Sequence, residues 1–231
     1  MPSAFSVDLI SDLNLSAGDE IDWEGKPTSL FCAIAGGLSN DLDVVKNTLD
    51  HLSSYYRGIM YIDGSTEHTN MQEYESRVER LREICAPMTN VVYMHNHVVI
   101  LNSVAFVACN GWFHNRYTTV DIQDRIKMED YRLEDVAYLS KSIRSLQVHH
   151  DARKIVVITS SVPSENFLFN RSEQVTGVEP GMALMMDTEN KIDAWLYGGT
   201  DISTDQMSGN IRFVNNPCRP GQPYWPKHVL V

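Results

Sequence analysis

The sequence predicts an α/β fold: a sandwich of mixed β-sheets with helices outside. Three observations predict it. Short apolar runs alternate with amphipathic stretches, strand–helix–strand–helix, through the first 85 residues. Two apolar runs then meet at Asn102-Ser103 with hairpin spacing. A third helical stretch leads into further strands, and short β segments close the chain. Alternating strands and helices argue for helix-covered sheets, and the hairpin makes those sheets mixed.

In order, residues 5–10 (FSVDLI) read as a first strand and residues 29–35 (SLFCAIA) as a second, with a polar loop at 16–28 between them. Leu42, Val45, Leu49, Leu52 and Tyr56 repeat at the spacing of one helix face. Residues 58–62 (GIMYI) form a third strand. Tyr74, Val78, Leu81 and Cys85 mark a second helix, stopped near Pro87. Strands follow at 91–94, 98–101 and 104–108, the last two joined by the hairpin. Val136, Leu139, Ile143 and Leu146 place a third helix within 121–148. Strands at 154–159 and 193–197, with room for a helix between them, precede short β segments at 211–214 and 228–231. No repeat or linker interrupts residues 1–231, so one domain is expected.

The chain carries 19 basic and 30 acidic residues, a net charge of −11. So acidic a surface repels phosphate backbones, which disfavours nucleic acid as a partner. Arg77, Arg80 and Arg82 alternate with Glu75, Glu79 and Glu83, the pattern of a solvated helix face with salt-bridge pairs. The cysteines at 32, 85, 109 and 218 form no CxxC pair, and Cys32 and Cys109 sit in apolar runs, so reduced thiols in the cytoplasm are the default. No apolar run reaches the roughly 20 residues that span a bilayer, and the first residues lack the pattern of a secretory signal.

The chemistry is expected where the strands end. Five strand-end loops are rich in Gly, Ser, Asp and Asn: residues 11–14 (SDLN), 35–38 (AGGL), 63–68 (DGSTEH), 159–164 (TSSVPS) and 197–201 (YGGTD). Loops at strand C-termini converge on one cleft in α/β folds. The same residue types also make ordinary turns, and composition alone leaves both readings open.

Taken in order, the five loops resemble the signature blocks of the calcineurin-like metallophosphoesterases, in a bacterial and phage branch. SDLNL resembles SDLHL, AGGLSN resembles AGDLSN, DGSTEH resembles PGNHE, TSSVPS resembles THHAPS, and YGGTD resembles YGHTH. Outside the loops, residues 91–112 resemble the family's hairpin with its closing Trp, residues 128–131 (MEDY) its M-N-D-Y/F stretch, and residues 214–217 (VNNP) its C-N-P-R-G segment. The resemblance covers the whole chain. It implies a sandwich of two mixed sheets flanked by helices, and a two-metal hydrolytic site.

Carried over position by position, the resemblance implies a first metal site at Asp12, Asn14, Gly37 and Asp201. It implies a second at Gly37, Ser65, Ser160 and Gly199, with Thr66 in the general-acid position. Gly37 replaces the bridging carboxylate, and glycine and serine offer a divalent metal little. Thr66 cannot donate a proton usefully near neutral pH. The resemblance therefore implies a degenerate member with no catalytic residue: a pseudoenzyme kept for its surface. Asp12, Asn14 and Asp201 still offer three oxygens, a weak site for one Mg²⁺ or Ca²⁺.

Other candidates rank lower. His149-His150 reads as a solvated loop and His95/His97 as a turn. Glu67-His68 could make an acid–base pair. Ser160 and Ser161 lack the G-x-S-x-G elbow of a nucleophile. Tyr224 and Trp225, among four prolines, form either a docking surface or cladding on a sheet edge. The expected function is a non-catalytic scaffold, binding or assembly component, possible in a virion, acting through a protein partner or a second copy of itself and not on a membrane. The alternatives are a single-metal phosphoesterase and a nucleotide or phosphate sensor gripping its ligand with loop amides.

Overall fold

The structure is a computed structural model that describes residues 5–19, 21–68, 70–112, 121–163, 187–219 and 222–231. In chain order its strands are β1 (Ser6–Ile10), β2 (Phe31–Ala35), β3 (Gly58–Ile62), β4 (Val91–Tyr93), β5 (His97–Leu101), β6 (Val104–Cys109), β7 (Lys154–Thr159), β8 (Ile192–Tyr197), β9 (Asp205–Ser208), β10 (Ile211–Asn215) and β11 (Lys227–Leu230). The α-helices are α1 (Leu42–Ser53), α2 (Tyr74–Cys85) and α3 (Ile122–Val148).

Two mixed sheets form, as the alternation predicted. The first has the order β11-β1-β2-β3-β4, parallel except for β11. The second has the order β5-β6-β7-β8-β10-β9, with β5 and β9 antiparallel at its two edges. Val7, Leu9, Ala33 and Met60 of the first sheet meet Phe106, Ala108, Val156 and Leu196 of the second in a central core. Helices α1 and α2 cover the outer face of the first sheet through Leu49, Leu52 and Leu81, against Ile10, Ile34 and Tyr61. Helix α3 covers the second through Leu139, Ile143 and Leu146, against Val107, Val157 and Trp195. With both faces covered, the inner strands are apolar at almost every position rather than at alternate ones. Leu49 and Leu52 are wholly buried, and burial of each contributes about 1.5–3 kcal/mol.

Local chemistry sets the element ends. Asp41 caps α1 by accepting the Asp43 amide, and Asp121 caps α3 through the Gln123 amide. The β5–β6 hairpin turns at Asn102 and Ser103, with φ of 50° and 67°, the mirror-image turn that matches strand twist. The loop at 16–28, read as polar, carries Trp23 into the core, where its indole N–H donates to Tyr56 Oη (3.1 Å), which in turn donates to buried Asp8 (3.1 Å). Arg82 pairs with Glu79 as the helix-face reading expected, but Arg77 does not sit on a solvated face. It reaches the carbonyls of Glu67 (2.5 Å) and Asn40 (2.7 Å) and ties α2 to two strand-end loops. No helix among the described residues is long and apolar enough to cross a membrane. The helix allowed for between 159 and 193 falls largely on residues outside those described.

Candidate functional site

The five strand-end loops meet at one end of the sandwich. The loop after β1 lies along the loop after β2: the Asp12 amide donates to Gly36 O (3.1 Å) and the Asn14 amide to Gly37 O (2.8 Å). The loop after β8 joins them, because the Gly199 amide donates to Asp12 Oδ1 (2.9 Å). Thr66 Oγ1, from the loop after β3, donates to Asn14 Oδ1 (3.0 Å). Ser160, after β7, donates its hydroxyl to Asn110 O (2.9 Å), and its carbonyl lies against Gly199. Asp12 and Asn14 both adopt left-handed backbone, with φ of 53° and 47°. Such strain concentrates where surrounding contacts dictate the loop path.

Glu67 locks two of these loops together. Its carboxylate is fully buried and accepts the amides of Leu38 (2.7 Å), Gly64 (2.8 Å) and Gly37 (3.2 Å), plus the Tyr61 hydroxyl (3.2 Å). Burial raises its pKa, and the Leu38 and Gly64 amides oppose that shift. The loop amides at Gly37, Leu38 and Gly64 thus already hold an internal carboxylate. Glu67 and His68 do not form the acid–base pair considered from the sequence, because each turns to a different partner.

His68 belongs to a second buried network behind the loops. Its Nε2 contacts Asp63 Oδ2, which also accepts from Asn110 Nδ2 (3.2 Å). The same Asn110 amide and the Trp112 indole N–H each donate to Tyr74 Oη (3.2 Å). Burial works to raise the Asp63 pKa, but His68 and, less strongly, His95 hold it well below the usual carboxylate range. Asp135, nearly fully buried, takes the amides of Gly111 (2.9 Å) and Trp112 (3.2 Å). Burial pushes its carboxyl up to about 6. His95 lies in the β4–β5 turn and His97 opens β5 exposed, while His149 and His150 are exposed beyond α3.

The donor set and the packing do not fit a two-metal centre. Gly37 stands in the bridging position with φ +71°, and a Cβ there would lie 2.8 Å from Asp12 Cα and 3.0 Å from Asp12 Oδ1. Gly199 has φ +77°, and its Cβ would lie 2.9 Å from Ser160 O. Main chain therefore overlaps the place where a Cβ would stand at either position, and it cannot swing aside as a side chain can. Ser65 is exposed, and the Ser160 hydroxyl is spent on Asn110. Among the described residues, no three His, Cys, Asp or Glu side chains are grouped to hold a metal ion. Of the first site's remaining positions, Asn14 Nδ2 donates to Asp12 O (3.1 Å) and Asp201 is exposed. Burial pushes the Asp12 carboxyl up to about 7, with the Gly199 amide working against it, and Asp12 Oδ2 is buried without a hydrogen-bond partner.

At the far end of the chain, Tyr224 packs into the core beneath the first sheet, takes the Ser11 amide (3.1 Å) and donates to Asn216 O (2.7 Å). Trp225 is 57% exposed, with Lys26 5.4 Å above its ring. The two aromatic residues thus divide the roles weighed from the sequence, one as cladding and one as surface.

Neither a protein-family profile nor a curated protein sequence matches the chain. Solved structures do. The phosphopantetheinyl hydrolase of Mycobacterium tuberculosis superposes with a TM-score of 0.63 at 14% identity, over 100% of this chain and 97% of that one. GAP50, the anchor in the inner membrane complex of Plasmodium, superposes with a TM-score of 0.53 at 11% identity, over 91% of this chain and 70% of that one. At such identities the likeness is one of fold, and the chain has a phosphoesterase-like fold.

Proposed function

We propose that this chain is a catalytically silent protein on a phosphoesterase-like scaffold, acting as a binding or assembly component through a protein partner or a second copy of itself. One observation carries the reading: the bridging-ligand position is a left-handed glycine whose missing side chain is replaced by the backbone of Asp12. Two-metal hydrolysis needs a carboxylate there to hold two cations close together. The neighbouring losses at Ser65, Thr66, Ser160 and Gly199 are all to small neutral residues, which delete ligands without burying new charge. GAP50, of similar fold, is an anchor in a membrane complex, which supports an assembly role for such a scaffold. The exposed Trp225 offers the kind of aromatic anchor that interfaces favour.

The partnerless Asp12 Oδ2 favours one second reading, a single Mg²⁺ or Ca²⁺ held by Asp12 with Asn14 and Asp201. The sensor reading loses its grip, because the Gly37, Leu38 and Gly64 amides already serve Glu67. Calorimetric titration of chelator-stripped protein with Mn²⁺, Mg²⁺ and Ca²⁺, beside Asp12→Ala, separates the first two. The silent reading expects no binding heat up to millimolar metal and no cleavage of an aryl phosphodiester. Metal-dependent cleavage lost in Asp12→Ala would overturn it.

A further inference from the structure

Strands β11, β4, β5 and β9 form the edges of the two sheets, and all but β5 are guarded against further pairing. Strand β4 is only Val91–Tyr93, β9 is exposed throughout and carries Asp205 in its pair with Arg212, and the short β11 opens on Lys227. Short length and charge are devices by which proteins keep sheet edges from joining other chains. Strand β5 has neither. Its residues, His97-Val98-Val99-Ile100-Leu101, include no Lys, Pro or acidic group, and its register with β6 runs without a bulge. All its aliphatic side chains are half-buried. Val92 of the neighbouring β4, directed with its partner Met60 toward the central core, is 36% exposed and widens the apolar border.

The hairpin fixes which backbone groups face out. Leu101 and Val104 flank its two-residue turn, which makes them a hydrogen-bonded pair. Alternation then turns the amides and carbonyls of Leu101, Val99 and His97 toward β6, and those of Val98 and Ile100 outward. Among the described residues no hydrogen bond reaches these outward groups.

The charge pattern indicates what meets this edge. The chain carries −11 and 21% of its residues are charged, so two copies repel across most of their surfaces. Residues 84–115 nevertheless contain no Asp, Glu, Lys or Arg, and β5 lies in the middle of that stretch. A basic partner gains nothing from an edge without carboxylates, whereas another acidic copy meets no like charge there. The strand is also self-complementary about Val99. Antiparallel pairing sets Val98 of one copy opposite Ile100 of the other as hydrogen-bonded pairs, with Val99 facing Val99 between them and His97 facing Leu101 at each end. Every outward amide and carbonyl of Val98 and Ile100 is then used.

We propose that this chain forms a two-fold dimer by antiparallel pairing of β5 with β5 of a second copy, joining the two 6-stranded sheets into one. The inference deepens the assembly reading and rests on it, naming the partner as another copy and the surface as the β5 edge.

Sedimentation velocity of the purified full chain, from micromolar to near-millimolar concentration, is expected to show a dimer. Ile100→Pro removes an outward amide and spares the β6 ladder, since proline is tolerated where its nitrogen faces out of a sheet edge. It is expected to weaken dimerisation about 10-fold or more, because half of the hydrogen bonds between copies are lost, and to leave the far-UV circular dichroism unchanged. Val99→Cys gives a second readout should the proline variant fail to fold. A non-hydrogen-bonded pair sets its Cα atoms about 4.5 Å apart, within the roughly 4.4–6.8 Å that a disulfide spans, so mild oxidation should yield a covalent dimer. In His97→Cys the two thiols lie about 14 Å apart along the strands, and no such dimer should form. A wild type that stays monomeric, a dimer untouched by a folded Ile100→Pro, or equal cross-linking of the two cysteine variants would overturn the proposal. None of these outcomes touches the silent reading, which fails instead on metal-dependent phosphodiester cleavage.

Discussion

Adding one methyl group at Gly37 tests whether the cleft is closed by backbone. In Gly37→Ala the new Cβ must enter at φ +71°, 2.8 Å from Asp12 Cα. Left-handed backbone costs an L-residue about 1–2 kcal/mol. The overlap adds about 1–3 kcal/mol, as overpacking does elsewhere, because its target is main chain pinned at both ends of the loop. The Asp12 amide is held by Gly36 O and the Asn14 amide by Gly37 O, so Asp12 Cα cannot retreat without breaking one of them. The total is roughly 2–5 kcal/mol. Gly18→Ala is the matched control: its φ is +90° and nothing lies within 4 Å of its Cβ, so it carries the conformational cost alone. Urea denaturation at fixed pH, with midpoints compared at a common m-value, reads the difference. Equal destabilisation of the two variants would refute the reasoning, since it would mean that Asp12 yields and the cleft has room. So would a stable Gly37→Asp that gains Mn²⁺ binding, because the bridging position would then be dormant rather than filled.

Three further outcomes follow from the buried polar groups. Glu67→Ala strips three loop amides of their acceptor and is expected to cost about 3–5 kcal/mol, with hydrogen exchange at Gly37, Leu38 and Gly64 accelerating while Glu67→Gln loses less; unchanged exchange would deny Glu67 its clamping role. Asp135, raised from 3.8 to about 6, keeps a proton in the folded state that the unfolded chain releases, so stability falls as pH rises from about 4 to 6 and is level above that. Asp135→Asn retains an acceptor for the Gly111 and Trp112 amides and removes that slope, and the variant should gain on the wild type by at most about 3 kcal/mol between pH 4 and pH 7 in urea midpoints. Tyr224→Phe deletes the hydroxyl shared by Ser11 and Asn216 and should lower stability by about 1–2 kcal/mol, read from the same midpoints.

The strands and helices were legible because each announces itself locally. The apolar runs at 58–62 and 154–159 became β3 and β7 at the same bounds, and the 3-4 spacing from Leu42 became α1. Strand β9 was not legible: all four of its residues are exposed, and it holds the sheet edge by backbone pairing with β10 and by the Arg212–Asp205 pair (2.8 Å). The convergence of the five loops could be read from their order at successive strand ends. What occupies the cleft could not, because a glycine in a sequence shows a missing side chain and not the neighbour that fills its place. The network of Asp63, His68, Tyr74 and Asn110 also escaped, since it joins three separate segments, and neither spacing nor periodicity encodes contacts across a sandwich. Trp23 escaped for the opposite reason: a lone aromatic residue in a polar loop carries no periodicity, and its burial rests on partners distant in sequence, Tyr56 and Tyr224 among them.

The pairing of β1 with β11 has a consequence for how the protein is made. Ser6 faces Leu230 and Leu9 faces Lys227 across that ladder, so β1 waits for the synthesis of β11. At synthesis rates of about 5–20 residues per second, the roughly two hundred residues between them hold one edge of β1 bare for some 10–40 s. For that interval an apolar strand whose Val7, Leu9 and Ile10 end fully buried has an open row of amides and carbonyls. A truncation that removes residues 227–231 would make that exposure permanent.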